Sequence, residues 1–403
     1  MKARTIRIIL GSLAILASVW IWRAHRPQAP LSSDSTLPAD GPGSDKIAPT
    51  SKTVEPHDNK TEAEAASPGL TVIQSCLNKL RGMSQSSNSR IALLELRASL
   101  SQLPLTNRVN AIQAFLEGKA DAGTGLPFTV EKNGLLSEHP TLRTFLLDYL
   151  GQVAPEAAAQ TSLKILETME SPDEWALSLR NYARFDSSTD GKQLLAAKLN
   201  QMLNYGPWRE KPSNGFLESF DVAVHLGNTV LIPLLDSIMH AGDETLRHAA
   251  NLALDRMVIK DTAASLTLSL EKPALFAGME GFRANLFARA DMREPKMKEL
   301  IEQYLLTPSF NSQEIKVFVE SFPNDNFRIG NNLLTTDQTP AGDELVKKDA
   351  ASLMIIEDWL GQERFRPVRG HLLAMRSRLL QFVAQASNKE SQSGERTALP
   401  SNQ

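Results

Sequence analysis

The residue types able to do chemistry gather in a few places along the chain. His240, Asp243, Glu244 and His248 are proper ligand types for zinc or a similar ion. Glu244 and His248, however, are one helix turn apart, as are Asp243 and Arg247, and no His-Glu-x-x-His occurs. That spacing describes a capped helix start with ion pairs one turn apart, and it is read so rather than as a metal site. Ser269-Leu270-Glu271-Lys272 places a serine and a lysine one turn apart, as an acyl-transfer nucleophile and its base would be, and Ser86-Ser87-Asn88 offers a Ser-x-Asn. The Lys-Thr-Gly that should accompany them is missing, their order is wrong, and no sheet is expected to carry them. Gly-x-Ser-x-Gly, the phosphate-binding P-loop and the dinucleotide glycine fingerprint are all absent. No catalytic set, metal or cofactor is expected.

The strongest local charge lies near the C-terminus. Arg364, Arg366, Arg369, Arg376 and Arg378, with His371, face an apolar series of Leu372, Leu373, Met375, Leu379, Leu380 and Phe382. This is the pattern of a terminal helix with a charged outer face, and the five arginines are the candidate surface for an acidic partner or lipid. Net charge over the 403 residues is only −3, so no global attraction to nucleic acid exists and none is expected as a partner. The single cysteine, Cys76, excludes an internal disulfide and falls on the buried side of a helical pattern, as a small core residue would.

The elements that must position these residues begin with an apolar N-terminus. Lys2, Arg4 and Arg7 precede a run containing Ile8, Ile9, Leu10, Leu13, Ile15, Leu16, Val19, Trp20, Ile21 and Trp22, which Arg23 ends. A cleaved signal should close on small residues, whereas this run closes on bulky ones suited to the headgroup zone. Residues 1–26 therefore read as a single-pass signal-anchor of an inner membrane. The basic bias places the N-terminus inside and the bulk of the chain in the periplasm. Residues 27–68 hold prolines at 27, 30, 38, 42, 49, 56 and 68 among Ser, Thr, Asp and Gly, and read as a disordered linker. Residues 387–403 read as a disordered tail.

Between them, 69–386 reads as an all-α domain. Hydrophobic residues at 42% of the chain supply enough core, and strand-like alternation is almost missing. Helices are expected near 70–82, 90–103, 106–118, 140–152, 155–168, 191–204, 213–227, 229–239, 261–270, 274–290, 295–306, 311–321, 344–360 and 367–383. Ser171-Pro172-Asp173-Glu174 marks another start, with Ser171 capping, Pro172 in the first turn and Glu174 completing a capping box. Two interruptions stand out. Asn133-Gly134 between apolar stretches predicts a small projecting β-ribbon over 123–136. The polar stretch Pro323 to Asp343 is longer than connecting loops usually are, and so is a candidate functional loop.

A basic residue early in a helix recurs at Arg108, Arg143, Arg180, Arg247, Arg283 and Lys316, a period of about 35 residues with one interval doubled. Leu246-Arg247-His248-Ala249-Ala250-Asn251-Leu252-Ala253-Leu254 resembles the second helix of a HEAT-like repeat, where an arginine precedes small residues that pack between helices. The resemblance covers 140–320 loosely and implies a right-handed α-solenoid of stacked antiparallel helix pairs. It implies a shape rather than an activity. The resulting expectation is a non-enzymatic, membrane-tethered scaffold that binds another protein in the bacterial cell envelope. A helical envelope enzyme or ligand-binding protein acting on a cell-wall polymer, and a cytoplasm-facing adaptor, stay open as alternatives.

Overall fold

Seven of the helices start on a Ser, Thr or Asp that the sequence supplies at the right place. Ser67, Thr141, Ser171, Ser188, Ser213, Asp243 and Asp261 each accept a backbone N–H of the first turn, which satisfies a donor that has no partner within the helix. The computed structural model describes residues 67–83, 86–227, 229–241, 243–307, 312–326, 329–337 and 340–397. The expected anchor over 1–26 and almost all of the expected linker lie outside these residues. Among the described residues no helix is long and apolar enough to cross a membrane.

The chain is mostly helical, in agreement with the all-α expectation. In order come α1 (Pro68–Arg81), α2 (Ser86–Ser101), α3 (Leu105–Glu117), a short hairpin, α4 (Leu142–Val153), α5 (Pro155–Ile165), α6 (Pro172–Phe185), α7 (Thr189–Asn204), α8 (Gly206–Glu210) and α9 (Asn214–Glu218). Then follow α10 (Phe220–Leu226), α11 (Ile232–His240), α12 (Glu244–Lys260), α13 (Thr262–Glu271), α14 (Glu280–Phe287), α15 (Pro295–Leu306), α16 (Ser312–Ser321), α17 (Gly342–Leu360) and α18 (Arg369–Thr397). Helices touch their next-but-one neighbours as well as adjacent ones: α4 packs on α6, α10 on α12, α13 on α15, α14 on α16 and α16 on α18, and α6 also reaches past α7 and α8 to α9. One continuous apolar core runs from Ile73 to Leu379. Cys76 is part of it, and burial pushes its thiol up to about 11.

Three expectations are corrected. The hairpin exists, with β1 (Thr129–Val130) antiparallel to β2 (Leu136–Glu138), but Val130 and Leu136 are buried, so it lies down on the helices instead of projecting. The helix expected from 274 starts only at Glu280, because Gly278 adopts φ +76° and turns the chain just before it. The last helix continues past 386 to Thr397, since no proline occurs between Pro367 and Pro400 to stop it.

The expected capping box at Ser171 forms only half. Ser171 Oγ accepts the Glu174 amide at 3.3 Å, but the Glu174 carboxylate turns away to Arg143. Nε and Nη2 of Arg143 each donate to it at 2.9 Å, and the same guanidinium reaches the Gly118 carbonyl. A bidentate charged pair outweighs one reciprocal cap bond. The device recurs in the second half of the fold. Arg283 donates to Glu314 at 2.9 and 2.7 Å and to the carbonyls of Pro273 and Leu275 at 2.8 and 3.1 Å. In both cases the arginine sits in the first turn of one helix, the glutamate is the third residue of the next-but-one helix, and 31 residues separate them. Glu314 also accepts from Tyr304 at 2.9 Å, whose ring stacks on Phe287 at 4.0 Å.

Replacing Arg283 by Leu leaves the Glu314 carboxylate buried without its cation, and the expected loss is about 3–5 kcal/mol of unfolding free energy. Glu95→Gln, which breaks the exposed pair of Lys79 and Glu95, should change it by less than about 1 kcal/mol. Urea titration of both variants checks the contrast; equal losses would remove the burial argument.

Candidate functional site

A second set of charge pairs crosses between next-but-one helices. Asp148 on α4 binds Arg180 on α6 at 2.5 Å, Asp221 on α10 binds Arg256 on α12 at 2.9 Å, and Asp255 on α12 binds Arg289, just beyond α14, at 2.8 Å. The separations are 32, 35 and 34 residues. Asp148 and Arg180 have no solvent exposure. Burial alone would push the Asp148 carboxyl up, but His139, at 3.2 Å, and the Arg180 guanidinium more than offset it and hold the group below its ordinary value.

The long loop expected to be functional lies on this set. It begins with Asn324, whose amide donates to the Ala288 carbonyl at 2.7 Å. Arg289 donates to the carbonyls of Asn324 and Asn326, and Lys348 binds Asp325 at 2.7 Å. Further on, Asn331 and Thr336 bridge each other and close a tight turn, whose tip buries Leu333 completely. Asp221 holds this turn by its backbone: Oδ2 accepts the amides of Leu334 and Thr335 at 2.7 and 3.0 Å, and Oδ1 accepts the Thr335 hydroxyl. Arg256 adds a bond to Asp337 at 2.9 Å and one to Thr335 Oγ1. Arg184 closes the other side, donating to the carbonyls of Asn133 and Leu333 at 2.6 and 3.1 Å. Burial and the nearby Arg180 guanidinium push Arg184 down to about 10, because its acceptors are carbonyls and not carboxylates. Gly134 is required here: its φ is +70°, and any side chain would collide with the Leu333 carbonyl and with Arg184.

Beside the turn is a cavity of about 470 Å³. Val224, Leu252, Ile259 and Leu334 are its apolar lining, and His225, Lys260, Thr335, Thr336 and the paired Asp255, Arg256 and Asp337 form the rest. Close to Asp221, on the end of α9, burial and the Asp221 charge push Glu218 up to about 7, against the pull of Arg256.

The other residues singled out in the sequence have local partners. Asp243 Oδ1 accepts the Leu246 amide at 2.8 Å and caps α12. His240 places its two ring nitrogens 2.8 Å from the carbonyls of Asp236 and Ala277, and these bonds hold its pKa above the usual value. Among the described residues no group of three or more His, Cys, Asp or Glu is placed to hold a metal ion. Ser269 is buried and donates to the Ser265 carbonyl at 2.9 Å. Of the terminal arginines, Arg364 lies 3.0 Å from Glu302, Arg366 3.0 Å from Glu363 and Arg376 2.9 Å from Glu357. Arg369 donates to the Leu360 carbonyl at 2.9 Å, and Arg378 lies over the Phe382 ring at 5.1 Å. The surface is therefore of mixed sign. The residues that sequence reasoning missed include the acids Asp148, Asp221 and Asp255 and two of their partners, Arg256 and Arg289. A signal for them existed, an aspartate about one period before each of Arg180, Arg256 and Arg289. Comparison of the chain with protein-family models, curated proteins and solved structures finds no match.

Glu218 gives a pH signature. Its protonated form is favoured in the fold, so its contribution to stability is complete below the ordinary value of 4.5 and disappears as pH rises to about 7. Glu218→Gln should match the wild type near pH ~4 and exceed it by on the order of 1–2 kcal/mol at about pH 8. Denaturant unfolding across that range checks it; a difference that does not grow with pH would contradict the assignment.

Proposed function

We propose that the helical body is a right-handed, HEAT-like α-solenoid that serves as a non-enzymatic scaffold for another protein of the bacterial cell envelope. The observation that carries this reading is the recurrence of arginine–carboxylate pairs 31 to 35 residues apart between next-but-one helices. That interval is one helix pair, and a stack of such pairs buries faces that no single pair can bury. Such stacks present long surfaces to partners. On this reading residues 1–26 hold the body to the inner membrane by one helix, with the body in the periplasm.

The terminal surface of Arg364, Arg366, Arg369, Arg376 and Arg378 is the proposed contact. Its arginines alternate with Glu302, Glu357 and Glu363, and such mixed charge fits a protein surface better than a polyanion. Arg366→Glu combined with Arg369→Glu should remove a cross-linked partner from intact cells while the chain stays in the membrane fraction. Leu13→Arg with Leu16→Arg should release it from that fraction. An unchanged cross-link pattern would overturn the contact surface, and a body protected from protease added to the periplasm would overturn the topology.

A further inference from the structure

The cavity between α10, α12 and the 331–337 turn has its charges unevenly engaged. Its acids are each paired with an arginine. Asp255 accepts two bonds from Arg289 at 3.0 and 2.8 Å. Asp337 accepts from Arg256, from the Gly330 amide at 3.2 Å and from Asn332 at 3.1 Å. The Arg256 guanidinium is divided among Asp221, Asp337 and Thr335. Lys260 differs. Its ammonium donates to the carbonyls of Val224 and His225 at 3.0 and 2.6 Å, which leaves one of three donors for another acceptor. His225 lies on the same wall.

Electrostatics points the same way. Burial, Lys192 and Arg256 hold Lys260 below its usual pKa despite Asp221. Burial, Lys260 and Lys192 do the same to His225, again against Asp221. Burial weighs most on both bases and the neighbouring cations add to it, so an anion placed beside them favours their charged forms. The same cavity has apolar lining, with Ile259 48% exposed. A cavity of about 470 Å³ is of the size that encloses a small organic molecule, and binding sites of that kind combine apolar walls with a few placed polar groups.

We infer that this cavity binds an amphipathic anion, an alkyl or acyl chain bearing a single carboxylate or phosphate head, with the head at Lys260 and His225 and the chain against Val224, Leu252 and Ile259. The site is separate from the proposed partner surface and stands whether or not that surface binds a protein. The head group has two sources, a free fatty acid or a phosphorylated lipid, and both present the same chemistry to Lys260.

Photolabelling of the full chain in its own membranes with a diazirine analogue of decanoic acid tests this. Membrane partition is then common to every variant. Label should map by mass spectrometry to peptides carrying Leu252 to Lys260 or Leu334 to Asp337. Decanoate or decyl phosphate should compete, the better of the two naming the head group, while decanol and inorganic phosphate should not. Ile259→Glu and Lys260→Met should each lower labelling at least about tenfold, and Leu373→Glu, an equal surface change elsewhere, should leave it intact. Three results would each overturn the inference: no label at these peptides, competition by decanol equal to that by decanoate, or full labelling of Ile259→Glu. The Ile259 variant keeps the test decisive if Lys260→Met disturbs the end of α10, which Lys260 also caps.

Discussion

A charge carried into the interior on one helix must find its opposite on another helix, or the fold loses several kcal/mol. Among the described residues five arginine–carboxylate pairs do this, and in each the two partners come from different helices or, for Arg289, from just beyond one. Asp148 with Arg180 is the extreme case, since neither touches solvent. Buried ion pairs add little net stability over well-packed apolar residues, because desolvation offsets much of the attraction. Their effect is on register. If α6 slid by one residue against α4, Arg180 and Glu174 would both lose their partners at once. Apolar contacts among leucines would tolerate the same slip at much smaller cost. The pairs thus fix which helix faces which, while the core of Leu, Ile and Phe side chains supplies the driving force.

The segment after α16 uses the same charges for a second purpose. In a simple helical array each layer touches only its neighbours, and opening can spread one layer at a time. Here the Leu333 carbonyl meets Arg184 across 149 residues of sequence, and Asp221 grips the amides of Leu334 and Thr335 across more than a hundred. The loop therefore ties α14, α12, α10 and α6 together, so that opening one of these layers exposes groups in the others. The closure entropy of so long a connection grows only slowly with its length, and it is offset by charge-assisted bonds in a water-poor setting. The cavity at Lys260 exists because the turn closes over α10 and α12 without filling the space between them.

Much of this architecture was legible from local patterns. Ser171-Pro172 and Asp243 placed helix starts, because capping is encoded within a few residues. Asn133-Gly134 gave the hairpin. What escaped was the identity of each arginine's partner. Arg143 and Arg283 do pair as one repeated device, but Arg247 is exposed on α12, and the structural role in that layer belongs to Arg256. A basic residue on a helix looks alike in sequence whether it points to water or to an aspartate one layer away. The same limit hid the site. The 323–343 stretch was recognisable by its length, yet nothing local shows that Leu333 is buried or that Asp221 receives its neighbours. Glu174 shows the competition plainly, since a good capping pattern yielded to a stronger partner brought near only by packing.

The central claim, that interlayer carboxylate–arginine contacts hold the loop as part of the core, is tested most directly by native-state hydrogen exchange at the amides of Leu334 and Thr335. Both donate to Asp221. The account predicts protection comparable to that of buried amides in α12, and loss of that protection at these two amides in Asp221→Ala. Free exchange at the rate of an exposed loop in the wild-type chain would contradict it.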